Sequence, residues 1–270
     1  MENMADNIAE IWRMDALASG DSPLHRLAPW AKLAATALFI LAVVSFGKYE
    51  ISAMAPFALY PVYLVAAGGL PARYIARKVL LVSPFAVAVG LFNPFFDTSA
   101  LLRFGVAEIS GGWVSFASIL LRFALTVSAA LALLALTGVN GVCGALERAG
   151  MPRPFVTQLL FLNRYMLALA GEAEAMSRAR ALRSPGRGRM RFGVFIQIAG
   201  HLLLRTLDRA ERVYAAMRCR GFDGSLPSAR RGGGYAGELL FVSGWGAFFL
   251  VCRFFNLPLL AGGLVTGLFK

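Results

Sequence analysis

The sequence predicts an all-α, polytopic integral membrane protein, and three observations carry that prediction. Of 270 residues, 58% are hydrophobic and 16% charged, whereas an ordinary soluble domain has about 45–50% and about 25%. Mean hydropathy is +0.63. Apolar runs of roughly the 20 residues needed to cross a hydrocarbon core recur along the chain. Together these exclude an average soluble enzyme and a disordered chain.

Residues 1–30 form the first segment, with Ile8, Ile11, Trp12 and Leu17 placed to make one apolar face. Such a face either lies on a membrane surface or packs on the rest of the protein. No apolar core precedes a small-residue cleavage site, so no removable signal peptide is expected. Residues 31–138 are expected to hold four spans, at 31–47, 51–70, 79–96 and 113–138. Pro56, Pro61, Pro84 and Pro94 imply kinks, tolerable where neighbouring helices satisfy the freed carbonyls.

Residues 139–230 differ in kind. They carry most of the net charge of +12, as Arg without a Lys. Residues 140–150 read as a short helix or turn. Pro152 and Pro154 sit where a helix would begin, and its pattern runs to about Arg183, where Ser184-Pro185-Gly186 stops it. A basic turn follows over 186–191. A second long helix is expected from about Phe192 to Arg220, capped by Gly221. Its expected apolar stripe is Ile196, Ala199, Leu203, Leu207, Ala210, Tyr214 and Met217, with Asp208 and Arg212 spaced for an i,i+4 ion pair. A helix laced with charge in this way lies at the membrane face or against a partner helix. Residues 231–270 begin in a Pro/Gly linker, supply a last span over 238–255, and end in an apolar tail at 257–269 that extends that span or re-enters the membrane.

Charge sets the expected topology. Arg13 and Arg26 precede the first span, Arg73, Arg77 and Lys78 follow the second, and the Arg-rich segment follows the fourth. All three fall on the cytoplasmic side if the N-terminus is cytoplasmic. The opposite loops, Lys48 with Glu50 and Arg103 with Asp97 and Glu108, are nearly neutral. Five spans, with 139–230 cytoplasmic and the C-terminus outside, satisfy this pattern.

Catalytic and metal chemistry is sparse. Cys143, Cys219, Cys252, His25 and His201 fit no metal spacing. The one Gly-Lys pair, Gly47-Lys48, is followed by Tyr49, so there is no phosphate-cradling P-loop. Gly186-Arg187-Gly188 lacks a preceding strand, and Gly263 and Gly267 make a weak helix-packing pattern. Arg122 lies nine residues after Trp113, well inside a span. An intramembrane charge is a functional candidate, and the plainer reading has it bonding helix-end carbonyls or a carboxylate such as Asp97.

Two local patterns are sharper. Ala179-Arg180-Ala181 closes the first long helix of the basic segment, and Cys219-Arg220-Gly221 closes the second. Small neighbours let each guanidinium enter a narrow groove, and its planar fork suits a carboxylate. Two tips would make a bivalent plug for paired sites on a partner. Basic helix ends facing anionic lipid are the simpler alternative.

With these motifs the chain resembles the transmembrane T component of energy-coupling-factor transporters, in the cobalt/nickel, CbiQ-like branch. Ser22-Pro-Leu-His-Arg-Leu-Ala-Pro29 followed by Lys32-Leu33 is similar to the family's entry into its first span. Asn93-Pro-Phe-Phe-Asp97 is similar to the branch's third-span end. The family's two Ala-Arg-Gly-type motifs map onto Ala179-Arg180-Ala181 and Cys219-Arg220-Gly221, with Ala181 and Cys219 as small-for-small departures. The resemblance implies a non-catalytic subunit with two or three long cytoplasmic coupling helices. It implies two ABC-type ATPase partners, which bind the ATP and Mg, docked through Arg180 and Arg220. A separate substrate-binding membrane subunit would take cobalt or nickel, so no cofactor or metal is expected on this chain. A vitamin-type T component, for biotin as an example, is the nearest rival. An integral membrane enzyme acting on lipid headgroups is a rival from another class, and it lacks an acid/base or nucleophile set. Nucleic acid is disfavoured because the Arg-rich stretch has no interleaved aromatic platforms.

Overall fold

A computed structural model describes residues 17–48, 50–93, 100–104, 107–183, 192–224 and 235–255. The expectations for 1–16, for Pro94 and Asp97, for the 186–191 turn, for the 225–234 linker and for the 257–269 tail lie outside the described residues. The chain divides into two compact units, Ala16–Gly138 with Arg230–Lys270, and Met1–Asp15 with Val139–Ala229.

The first unit is a helical bundle. It begins with α1 (Pro23–Arg26) and α2 (Pro29–Val44), each opening on a proline whose fixed φ suits a first helical turn. The apolar run at 51–70 becomes α3 (Ile51–Met54), a 3-10 turn (Ala55–Ala58) and α4 (Leu59–Ala67). Pro56 lies in the 3-10 turn, which is the expected kink made concrete. Gly69, at φ +63°, ends α4, with the Leu70 N–H donating to Val65 O and the Gly69 N–H to Ala66 O. That pair of bonds satisfies two otherwise orphaned carbonyls. α5 (Ala72–Gly90) continues through Pro84, and α6 (Gly111–Arg148) and α9 (Tyr235–Phe254) complete the helices.

A two-stranded hairpin, β1 (Ala100–Phe104) and β2 (Ala107–Ser110), was not expected from sequence. Residues 97–108 read as a nearly neutral loop. The chain instead pairs antiparallel, with Leu102 opposite Ile109, Arg103 opposite Glu108 and Phe104 opposite Ala107. Strand pairing lets two stretches too short for a helix satisfy their backbone groups with one another.

The bundle core is aromatic. Phe39 of α2 lies 4.8 Å from the Tyr60 ring and 5.5 Å from Phe249 of α9, while Phe57 stacks on Phe249 at 5.7 Å. Trp245 meets Tyr60 edge-on at 4.9 Å. Such rings add pair energy to their burial, about 0.5–1.5 kcal/mol each, and they clamp α2 along α9. Outward-facing positions are apolar too. Leu80, Phe85 and Leu240 are 71%, 72% and 76% exposed. An apolar exterior around a packed interior is the arrangement lipid favours and water does not.

Two described helices, Gly111–Arg148 and Ala236–Phe254, are long and apolar enough to cross a membrane. Pro29–Val44 and Ile51–Ala67 are apolar but shorter. The 16 residues of α2 reach about 24 Å at 1.5 Å per residue, short of the ~30 Å hydrocarbon core. α5 opens with Arg73, Arg77 and Lys78, which confines its apolar part to its second half.

In the second unit, residues 139–148 of α6 end at Gly150 (φ +99°), again with paired bonds, Met151 N–H to Leu146 O and Gly150 N–H to Glu147 O. The expected long helices follow as α7 (Arg153–Arg183) and α8 (Phe192–Cys219). They run antiparallel. Arg209 pairs with Glu172 at 2.6 Å, Phe222 meets Phe161 at 6.2 Å between ring centres, and the Thr157 hydroxyl donates to Gly224 O at 3.2 Å.

The face of α8 differs from expectation. Its half-buried positions are Val194, Ile198, Leu202, Thr206, Arg209, Val213 and Met217. Of the stripe expected from sequence only Met217 belongs to that series; Ile196, Leu203, Leu207 and Tyr214 are each more than half exposed. Two apolar stripes share this helix, and the Arg209–Glu172 pair lies on the other one, which faces α7. Among the described residues the expected Asp208–Arg212 ion pair does not form, and α8 instead pairs Arg209 with Glu172 of α7.

Candidate functional site

Arg220 sits in the turn that ends α8. The Phe222 N–H donates to Met217 O and the Gly221 N–H to Arg218 O, both at 3.0 Å, with Gly221 at φ +80°. Only a residue without a Cβ takes that conformation cheaply, so Gly221 fixes where the helix stops and where Arg220 emerges. Arg220 and Cys219 are exposed. Phe222, half-buried against Phe161 of α7, anchors the far side of the turn.

Arg180 lies in the last turn of α7, one turn before Arg183. Ala179 is exposed, and Arg180 and Ala181 are half-buried. Two residues earlier Arg178 pairs with Glu174 at 2.9 Å. Among the described residues neither Arg180 nor Arg220 has an ion-pair or hydrogen-bond partner through its side chain. Both cations stand at helix C-terminal ends, where the backbone dipole favours positive charge.

The antiparallel packing sets their separation. Phe222, two residues past Arg220, is level with Phe161. Nineteen residues of α7 then lead to Arg180, about 28 Å at 1.5 Å per residue. The fold therefore does not bring the two motifs together. It places them at opposite ends of one helix pair.

Arg122 is separate from both. Its Nη2 donates to Phe46 O at 2.9 Å and to Gly47 O at 3.4 Å, while its Nε is buried without a partner. Phe46 and Gly47 follow the C-terminal end of α2, so the guanidinium meets the negative end of that helix.

Sequence reasoning missed a second polar knot. Lys32, in the first turn of α2, is 2% exposed and its Nζ donates to Leu136 O at 3.1 Å. Two residues before it, the Trp30 indole donates to Glu238 Oε2 at 2.8 Å, and Glu238 is also 2% exposed. The available signal was a Lys opening an apolar, Ala-rich run. Among the described residues no group of three His, Cys, Asp or Glu could hold a metal ion.

A helical bundle with an apolar exterior, joined in sequence to two long helices that carry arginines at their C-terminal ends, defines an α-helical protein of membrane type. Comparison with known proteins gives the particular family. The sequence pattern of the CbiQ family, described as cobalt transport protein, matches residues 20–229, and the chain belongs to that family. It is also 26% identical over 226 residues to a fused cobalt transport protein, CbiMQ, of Methanocorpusculum labreanum, a match covering 76% of this chain. The match covers 36% of that relative, so the chain corresponds to about a third of the fused protein.

Proposed function

We propose that this chain is the transmembrane coupling subunit of an ATP-driven cobalt or nickel importer. It links two ABC-type ATPases, which bind ATP and Mg, to a separate membrane subunit that binds the metal, and it catalyses no reaction itself. Five spans, with the N-terminus and residues 139–230 cytoplasmic, complete the reading. The observation that supports it best is the pair of unpartnered guanidiniums about 28 Å apart on one antiparallel helix pair. Membership of the CbiQ family supplies the metal class. Two docking points that far apart suit two partner subunits better than one pocket.

The test is Arg180→Glu with Arg220→Glu. Removing one partner of a buried charged pair costs about 2–5 kcal/mol, and each reversal should cost at least that. Each single variant is expected to weaken co-purification of the ATPases, and the double variant to abolish it along with metal uptake, because linked sites multiply affinity. Arg187→Glu with Arg189→Glu is the matched-charge control. Equal retention of the ATPases by both double variants would reduce the basic segment to a lipid-facing surface.

A further inference from the structure

We propose that Arg122 and Arg253 form a binding site for the phosphate of an anionic phospholipid, set where α2 stops short of the membrane surface. The inference rests on the membrane character of the bundle; the proposed orientation adds only that the lipid comes from the outer leaflet. Two helices bring a cation to the same three residues. Arg122 of α6 donates through Nη2 to Phe46 O at 2.9 Å and to Gly47 O at 3.4 Å. Arg253 of α9 donates through Nε to Ser45 Oγ and through Nη2 to Ser45 O, each at 3.3 Å. Its guanidinium carbon lies 4.8 Å from the centre of the Phe46 ring. Among the described residues every one of these partners is neutral. The C-terminal end of α2 supplies about half a negative charge against two full positive ones. Lys48 and Glu50 follow on the same turn, both exposed, and offset one another in charge. Glu50 turns its carboxylate to the Gly47 N–H at 3.3 Å and forms no ion pair with either arginine. Two such cations beside hydrocarbon are costly unless an anion offsets them.

Helix lengths place the pair below the surface. Lys32 meets Leu136, and Phe46, fourteen residues further along α2 and its end, meets Arg122, fourteen residues earlier in α6. The two helices therefore run antiparallel in step. α6 begins at Gly111, eleven residues before Arg122, and so extends about 16 Å past that level. α2 is about 6 Å shorter than the hydrocarbon core. A short span is matched by local thinning of the bilayer, which draws headgroups down to its end. That end is open, because Ser45 and Gly47 are exposed. Acyl chains would find apolar surface around it, where Leu41, Val44, Leu250 and Phe254 are each more than half exposed. Donors remain for the ligand. Arg122 Nε is buried with no partner, and neither Nη1 bonds to a described residue. Guanidinium forks match phosphate oxygens two at a time. A lipid of net negative charge fits better than a zwitterionic one, whose own ammonium already answers its phosphate.

The experiment uses the purified full chain in detergent, with lipid retention read by native mass spectrometry and the thermal unfolding midpoint read alongside. Phosphatidylglycerol is expected to stay bound at one molecule per chain and to raise the midpoint, since a ligand of the folded state alone stabilises it. Phosphatidylcholine should do neither at the same concentration. Arg122→Gln and Arg253→Gln should each raise the phosphatidylglycerol concentration required by about ten-fold or more, as loss of one partner of a charge pair implies. Arg253→Gln decides the matter if Arg122→Gln fails to fold, because the Arg253 bonds are long and exposed. Arg77→Gln, an exposed cation on α5, is the control and should bind the lipid unchanged. Retention by Arg253→Gln equal to that of the unaltered chain overturns the site, as does an equal loss in Arg77→Gln. Phosphatidylcholine held as firmly as phosphatidylglycerol overturns the anionic class. Displacement of the lipid by millimolar inorganic phosphate overturns the lipid and makes this a soluble-anion site. The ATPases take no part in the measurement, so its failure and that of the coupling reading are scored apart.

Discussion

Arg122 and Lys32 show how differently two intrahelical cations announce themselves. Arg122 stands alone among apolar residues and was legible at once as a charge needing a partner; its bonds to Phe46 O and Gly47 O are one of the solutions expected. Lys32 opens its run and reads as an ordinary interfacial lysine, because burial depends on how far α2 sinks against α6, which no local pattern encodes. Arg122→Met leaves two carbonyls near a helix end without their donor. A destabilisation of about 1–3 kcal/mol is expected, seen as a lower midpoint in thermal unfolding of the detergent-solubilised chain. A midpoint equal to that of the unaltered chain would show the bonds to be incidental.

Helix ends were more legible than helix faces. Gly221 was readable as a cap because only glycine suits its left-handed position, and Pro152 and Pro154 marked the start of α7 to within a residue or two. The contact face of α8 was not readable, since Ile196, Leu203 and Leu207 compete with Val194, Ile198 and Leu202 for it on equal hydrophobic terms. The choice between them depends on α7, whose Glu172 pairs with Arg209 on the half-buried side of α8, and a single-helix pattern never sees that partner helix. The hairpin escaped for a related reason: strand pairing is a contact between two short stretches, neither of which is marked alone. At this scale Gly90 offers a sharp test. A Cβ there would come 2.8 Å from the Phe116 ring, so α5 and α6 touch where only hydrogen fits. Gly90→Leu should cost about 1–3 kcal/mol through overpacking, whereas Gly171→Leu, where a Cβ would meet nothing within 4 Å, should cost far less by the same unfolding measurement. Equal losses would place the sensitivity elsewhere.

For the molecule as a whole, two measurements bear on the proposed importer. Cys219 is exposed while Cys143 and Cys252 are buried. A membrane-impermeant thiol reagent should therefore leave Cys219 unlabelled in intact cells and label it in inverted vesicles. Labelling from outside would invert the proposed orientation. The purified chain, titrated with cobalt or nickel in a calorimeter, is expected to show no stoichiometric micromolar site, because scattered His and Cys offer no two soft ligands at metal spacing. A site of that strength would move metal recognition onto this subunit.

The antiparallel pair of α7 and α8 also has a mechanical meaning. Forces applied at two points about 28 Å apart on one beam do not simply add. Pushed in opposite senses by two like partners, the ends form a couple, and the beam turns about its middle without being displaced. Losing one arginine would then do more than halve the grip. It would leave an off-centre push with no counterpart, so a single variant that still retains its ATPases should already transport poorly.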